Sequence, residues 1–291
     1  MADSLNARLK ALFERRSATI VPGAPNALTA RMITEAGFEA VYVTGAGVTN
    51  AFLGVPDVGL ITLSELADNV AAMRDVIDVP LVADADTGFG NAVNLARTVK
   101  VLERAGANGM QIEDQVFPKK CGHFAGKEVI GADEAVQKIR AAVDARSDDD
   151  FVIIARTDAR SVLGFDEAMD RAHRFIEAGA DVTFVEAPES LSEIAAIAEL
   201  SVPQVINMVF GGLTPIVEQA ELATMGYGVV IYANAPLQAA MLNTQRLLAH
   251  LRDHGSTSGF EDQLMPFAER QDVVGKADYD EMERRYVVPG E

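Results

Sequence analysis

Apolar positions along the chain fall into two rhythms. Eight short runs are almost continuously apolar: 19–24 (TIVPGA), 40–45 (AVYVTG), 81–86 (LVADAD), 109–114 (GMQIED), 151–158 (FVIIARTD), 182–187 (VTFVEA), 204–209 (QVINMV) and 228–233 (GVVIYA). Strands covered on both faces read this way. Between the runs lie amphipathic stretches with helical spacing, for example 94–106 and 165–179. A phrase recurs at the junctions: an amphipathic stretch stops at Gly37, Gly106, Gly179 or Gly226, and a β-branched run follows. Glycine is the usual residue for the left-handed turn that ends a helix. Eight strands alternating with helices predict an α/β chain folded as a (β/α)8 TIM barrel. An open doubly wound sheet is disfavoured, because VPGAPNAL after the first run is not the Gly-rich dinucleotide turn.

The ends of the chain carry more. Leu5, Leu9, Leu12 and Phe13 mark an amphipathic helix before the first strand. After residue 234 comes a long helical pattern, 235–255, and then a polar tail with no strands. That is more than one barrel needs. The expectation is a single barrel domain over 1–291, with 235–291 as a helical extension exchanged with a neighbouring subunit.

Composition narrows the function. Of 291 residues, 49% are hydrophobic, so a large core is expected and disorder is not. The balance of 25 basic against 43 acidic residues leaves a net charge of −18, which repels nucleic acid over most of the surface. One cysteine allows no intrachain disulfide. No apolar run is long enough for a membrane span, and the N-terminal segment lacks the apolar core of a signal peptide. A cytoplasmic protein acting on a small molecule is expected.

The strands begin apolar and end polar. Tyr42 and Thr44 close the second run, Asp84 and Asp86 the third, Glu113 and Asp114 the fourth, Arg156 and Asp158 the fifth, Glu186 the sixth and Asn207 the seventh. In a barrel these ends meet at one face, where the chemistry is carried. So many carboxylates against one strand-borne cation, Arg156, raise each other's pKa values unless a cation joins them. Hard oxygen ligands select Mg²⁺, with Mn²⁺ as the alternative. Asp84 and Asp86, two apart in one strand, are expected on the same face as ligands. Glu113 and Asp57, in the loop after the second strand, come next.

The only thiol, Cys121, lies in FPKKCGHF (117–124), a loop after the fourth strand. A core cysteine among Lys119, Lys120, Gly122 and His123 is a poor fit, and Cys-x-His gives too few ligands for zinc. Neighbouring Lys119 and His123 would lower the thiol pKa and let Cys121 exchange protons near neutrality. Gly122 would let the loop move as a lid.

The set YVTGAG (42–47), GVPDVG (54–59), DADTGFG (84–90), IEDQ (112–115), KKCGH (119–123), ARTDA (155–159) and VEAPE (185–189) resembles the isocitrate lyase and phosphoenolpyruvate mutase superfamily. The match runs from about 20 to 240, and KKCGH resembles its carbon–carbon lyases, the 2-methylisocitrate and 2,3-dimethylmalate lyase branch most closely. The resemblance implies Mg²⁺ at Asp84 and Asp86 with Glu113 in its shell. It implies a substrate carboxylate held by Thr44, Gly45, Ala46 and Arg156, and Cys121 as general acid. Glu186, Asn207, Tyr42 and Pro236 complete the pocket, with Gly122 and His123 closing over it. The implied reaction cleaves a 2-hydroxy di- or tricarboxylate to a 2-oxo acid such as pyruvate and a carboxylic acid, through an enediolate that Cys121 protonates. The base stays open among Tyr42, Asp57 and a metal-bound hydroxide. The family implies a homotetramer.

One departure stands out. After the seventh strand the lyase branch generally carries a carboxylate where this chain has Phe210, and close relatives often carry Lys where it has Leu213. Phe210 would shape an apolar subsite suited to a smaller or alkylated malate. Three alternatives remain. One is an oxaloacetate decarboxylase or hydrolase. Another is a phosphonopyruvate or phosphoenolpyruvate enzyme, which KKCGH disfavours. The third is a non-catalytic dicarboxylate-binding relative, in which a proton donor would be idle.

Overall fold

The computed structural model describes residues 4–122, 124 and 126–287. Its first unit, 1–236, holds eight strands: β1 Thr19–Ala24, β2 Val41–Val43, β3 Leu81–Asp84, β4 Gly109–Glu113, β5 Val152–Thr157, β6 Val182–Val185, β7 Val205–Asn207 and β8 Val229–Tyr232. All pair in parallel, in the order β6-β5-β4-β3-β2-β1-β8-β7. A single bridge between Thr183 and Gln204 links β6 to the start of β7, so the sheet closes into the expected barrel. Gly37, Gly106, Gly179 and Gly226, at the helix-to-strand junctions, take positive φ values of 88°, 98°, 97° and 91°.

The side-chain period of two divides each strand between two cores. Outward residues such as Val41, Leu81, Ala83, Met110, Ile112 and Ile153 pack against helices including Leu63–Arg74, Ala92–Ala105 and Ala132–Ala145. Inward residues Val21, Tyr42, Val82, Ile154, Phe184, Val229 and Ile231 fill the barrel. Leu9, Leu12 and Phe13 of the helix Leu5–Glu14 join that inner cluster. Ser4 caps this helix by accepting from the Ala7 amide.

The inner columns change character along each strand. On β3 Val82 gives way to Asp84, on β5 Ile154 to Arg156, and on β6 Phe184 is followed by Glu186 just beyond the strand. Apolar contact therefore fills the N-terminal end, while the polar residues gather at the C-terminal mouth. The second unit, 237–291, holds most of the helix Ala235–His254 and the helices Phe267–Val273 and Lys276–Tyr286. None of these three has a buried residue among those described. No helix of the described residues is long and apolar enough to cross a membrane.

Candidate active site

Two carboxylates from β3 and the turn after it form the floor of the mouth. Asp84 Oδ1 accepts from the Asp86 amide at 3.2 Å and from Gln111 Nε2 at 3.2 Å. Strand alternation does not set Asp86, because β3 ends at Asp84. Asp86 instead adopts φ 49°, a left-handed conformation that non-glycine residues seldom take. The two carboxylates converge beside Gly45. A Cβ there would lie 3.1 Å from Asp86 Oδ1 and 3.2 Å from Asp84 Oδ2. Glycine thus leaves a notch open in front of both oxygens.

Lys119 does not flank the thiol as a solvated cation. Its buried ammonium reaches into the acidic cluster, 2.6 Å from Asp57 Oδ1 and 2.7 Å from Asp86 Oδ1. Burial would lower its pKa, but Asp86, Glu113, Asp57 and Asp84 together hold it well above the usual lysine value. The chain therefore supplies part of the compensating charge that the acid-rich strand ends demand.

Glu113 and Arg156 are register partners on β4 and β5. Arg156 Nε lies 3.4 Å from Glu113 Oε2 and 3.0 Å from Asp158 Oδ2, and Nη2 donates to Asp158 Oδ1 at 3.1 Å. Its guanidinium also stands 5.2 Å from the centre of the Phe184 ring, and Glu186 Oε2 is 3.9 Å from Nη1. Burial raises the pKa of Glu113 well above the usual carboxylate range, against the pull of Arg156. Burial, with Asp84 and Asp57 nearby, likewise raises Asp86 to about 7, although Lys119 opposes it. Burial, rather than mutual repulsion, is the larger cause in both.

Asp114 departs from the expected mouth set. It lies on the outer side, accepting from Thr157 Oγ1 at 2.7 Å, the Asp158 amide at 2.9 Å and Arg171 Nη1 at 3.0 Å. A period of two sends Glu113 inward and its neighbour outward.

The remaining candidates are placed as follows. Tyr42 donates to Gln111 Oε1 at 2.9 Å, and Gln111 donates to Asp84, so the three form a relay. Burial, then the charge of Asp84, keeps the Tyr42 phenol well above its usual pKa, so in this geometry it is a hydrogen-bond donor rather than a base. Thr44 caps the short helix Gly45–Val48 and donates to Asn234 Oδ1 at 3.0 Å. The Gly45 amide reaches Asp84 Oδ2 at 3.4 Å, and Ala46 beside it is half-buried. Asn207 ends β7, and its Oδ1 is buried without a hydrogen-bond partner among the described residues. Pro236 is half-buried in the first turn of Ala235–His254. Phe210 is 88% exposed and Leu213 49% exposed, so the structure leaves both on the surface loop after β7, outside the buried cluster.

The loop bearing Cys121 is seated on the mouth. Gly122 is buried, and a Cβ on it would lie 2.5 Å from Arg156 Nη2 and 2.6 Å from Glu186 Oε1. Cys121 beside it is half-buried. Gln115 anchors the base of the loop, donating to Lys120 O at 2.8 Å and accepting from its amide at 2.9 Å. His123 lies outside the described residues.

Sequence reading passed over Gln111, Asn234 and Lys127, and it placed Asp158 at the mouth without giving it a role. Gln111 had a signal, a polar residue between Met110 and Ile112 in an otherwise apolar run. Asn234 had only its place after β8.

The donors suit Mg²⁺. Among the described residues no three His, Cys, Asp or Glu side chains stand together as a ready-made metal cage. Mg²⁺ asks for less, one or two carboxylates with retained waters. The notch before Asp84 and Asp86 supplies two, and Glu113 Oε1 is buried with no hydrogen-bond partner among the described residues.

Residues 9–252 match the family model of phosphoenolpyruvate phosphomutase. The chain is 44% identical to the 2,3-dimethylmalate lyase of Eubacterium barkeri, over 96% of this chain and 97% of the relative. It is 43% identical to the 2-methylisocitrate lyase of Aeropyrum pernix, over 94% and 88% respectively. An oxaloacetate acetylhydrolase solved with the inhibitor 3,3-difluorooxalacetate superposes with a TM-score of 0.91, at 37% identity, over 97% of this chain and 96% of that one. A phosphonopyruvate hydrolase solved with oxalate and Mg²⁺ superposes at 0.88, with 31% identity, over 98% and 99%. These relatives are lyases and hydrolases named for different substrates. On its barrel, its ordered mouth motifs and these matches, the chain belongs to the phosphoenolpyruvate mutase and isocitrate lyase superfamily.

Proposed function

We propose that the chain is a Mg²⁺-dependent carbon–carbon lyase that cleaves a 2-hydroxy dicarboxylate or tricarboxylate of the 2,3-dimethylmalate or 2-methylisocitrate type, releasing pyruvate. The observation that carries this reading is the seating of Gly122 on Arg156 and Glu186, which brings the Cys121 loop to a mouth lined by Asp84, Asp86 and Glu113. A binding protein has no use for a thiol delivered to that place.

Asp84 and Asp86 would hold Mg²⁺ with Glu113 behind them, and the ion would act as a Lewis acid that lowers the pKa of the substrate hydroxyl. Arg156 orients a substrate carboxylate, its guanidinium plane fixed by Asp158. Loss of the hydroxyl proton breaks the bond between C2 and C3. C2 becomes the keto carbon of pyruvate, and C3 keeps the electron pair as the enediolate of the second acid. Cys121 gives C3 a proton, and the seated loop keeps water from doing so first. Tyr42 serves as a donor. Asp57 is the base candidate on the chain, and Lys119 Nζ lies 2.6 Å from its Oδ1.

The dimethylmalate relative favours an alkylated malate. A second reading, hydrolysis of oxaloacetate, is favoured by the acetylhydrolase superposition. A lactate-dehydrogenase-coupled assay with Mg²⁺ separates them. 2,3-Dimethylmalate, 2-methylisocitrate and oxaloacetate are run in parallel, with oxalate and acetate measured for the last. Pyruvate from a hydroxy acid, abolished by EDTA and greatly reduced by Cys121→Ser, supports the lyase. Oxalate and acetate from oxaloacetate, with no hydroxy acid cleaved, replace it with the hydrolase. Exposed Met241, Leu242, Phe267, Met282 and Tyr286 suit a helical extension that packs on a neighbouring subunit in a homotetramer. A monomer by light scattering at micromolar concentration refutes that part.

A further inference from the structure

A buried lysine behind the thiol loop has no part in the chemistry above. Lys127 lies on the returning leg of that loop, with its side chain only 2% exposed. Its ammonium donates to the carbonyl of Gly122 and to Asp158 Oδ1, the latter at 3.0 Å. Asp158 is fully buried, and both its oxygens also receive the Arg156 guanidinium. Gly122 in turn rests on Arg156. The four residues close a ring: Lys127 to Gly122, Gly122 to Arg156, Arg156 to Asp158, and Asp158 back to Lys127.

A lysine head suits this place. It is compact and carries three donors, so one group can serve a carbonyl and a carboxylate at once. Burying a charge this deeply is tolerated only with a partner, and Asp158 is that partner. With the loop in this position the one ammonium makes both bonds, to the Gly122 carbonyl and to Asp158 Oδ1, so the bond to Gly122 favours the seated loop.

We propose that Lys127 is a positioning residue, tying the Gly122 carbonyl to Asp158 so that seating of the Cys121 loop and placement of the Arg156 guanidinium are one event. Lys127 touches no reacting atom. Its effect passes through Gly122 and Asp158.

Cys121 is the only thiol in the chain, so its reaction rate with dithionitrobenzoate reports the loop alone. Lys127→Met keeps most of the side-chain volume and removes the donors. Loss of a charge-assisted bond is expected to raise the thiol rate about tenfold. Thermal unfolding shows that the variant is folded. Lys127→Arg, which still pairs with Asp158, recovers part of the protection. If the Met variant does not fold, Lys127→Gln takes its place in the same two measurements. An unchanged thiol rate in a folded variant overturns the proposal. With the lyase substrate in hand, the expected kinetic split is a fall in kcat of about tenfold with KM nearly unchanged, because the loop delivers the proton after binding. Wild-type-like thiol protection with a change in KM alone would instead mark a merely structural lysine and overturn the proposal. The kinetic arm rests on the lyase reading. The thiol rate does not, so the two fail separately.

Discussion

Gly122→Ala is the sharpest test of the seated loop, because it adds a single methyl group. Gly122 is not among the positive-φ residues, so alanine meets no backbone strain there. Its Cβ would stand 2.5 Å from Arg156 Nη2 and 2.6 Å from Glu186 Oε1, where ordinary van der Waals contact begins at 3.4 Å. Something must move by roughly 1 Å. Arg156 cannot yield easily, since Asp158 holds it through two hydrogen bonds. The loop has to rise instead, and Cys121 rises with it. A misplacement of about 1 Å at a reacting group costs on the order of 100-fold in rate. The expected result is therefore a kcat 10- to 100-fold lower, by the scale of about two decades just given, with thermal stability nearly unchanged. The coupled pyruvate assay reads the first, and differential scanning fluorimetry the second. Reaction of Cys121 with dithionitrobenzoate should accelerate in parallel, and this part holds whatever the substrate. Wild-type turnover together with a wild-type thiol rate would refute the reasoning, because it would mean that the loop does not rest on Arg156 when the protein works.

Three further outcomes follow from other parts of the molecule. Gly45→Ala places a methyl in the notch before Asp84 and Asp86, so Mn²⁺ affinity, read by electron paramagnetic resonance, should fall about tenfold or more; the metal-free protein should unfold at an unchanged temperature. Asp114→Ala leaves the buried Arg171 charge without its buried carboxylate partner and should cost about 3 kcal/mol in urea unfolding, with little change in kcat, since Asp114 faces away from the mouth. Burial would raise the pKa of Asp158, but Arg156 and Lys127 outweigh it and hold the carboxyl at about 2, below its usual value of 3.8. A depressed carboxyl stabilises the fold above its unfolded pKa and loses that contribution as pH falls through its folded one. The deficit of Asp158→Asn, about 2 kcal/mol at pH 6, should therefore shrink between pH 4 and pH 2, as measured by urea titrations. A deficit that stays constant over that window would place its origin elsewhere.

The sequence by itself determined the barrel and the address of its chemistry. Continuous apolar runs read as strands covered on both faces, and the glycines that end four amphipathic stretches read as helix stops of positive φ, as Gly106 and Gly226 are. With the strands known to be parallel, their polar ends must share one mouth, which is why Asp84, Glu113, Arg156 and Glu186 were legible together. Tertiary structure decided what each of them does there. Local pattern places Asp86 by alternation, but a left-handed turn beyond β3 is what aims it beside Asp84. Lys119 reads as a cation beside a thiol, yet a buried carboxylate pair more than 30 residues away in sequence holds its ammonium. Phe210 reads as a pocket wall and stands on the surface, because nothing in a loop's own sequence sets which way it packs. Of the ring through Lys127, Gly122, Arg156 and Asp158, Lys127 had no sequence signal, and nothing in the sequence linked the other three to one another. Hydrophobic periodicity is local and fixes elements, whereas charge pairing acts through space between segments that only the folded barrel brings together.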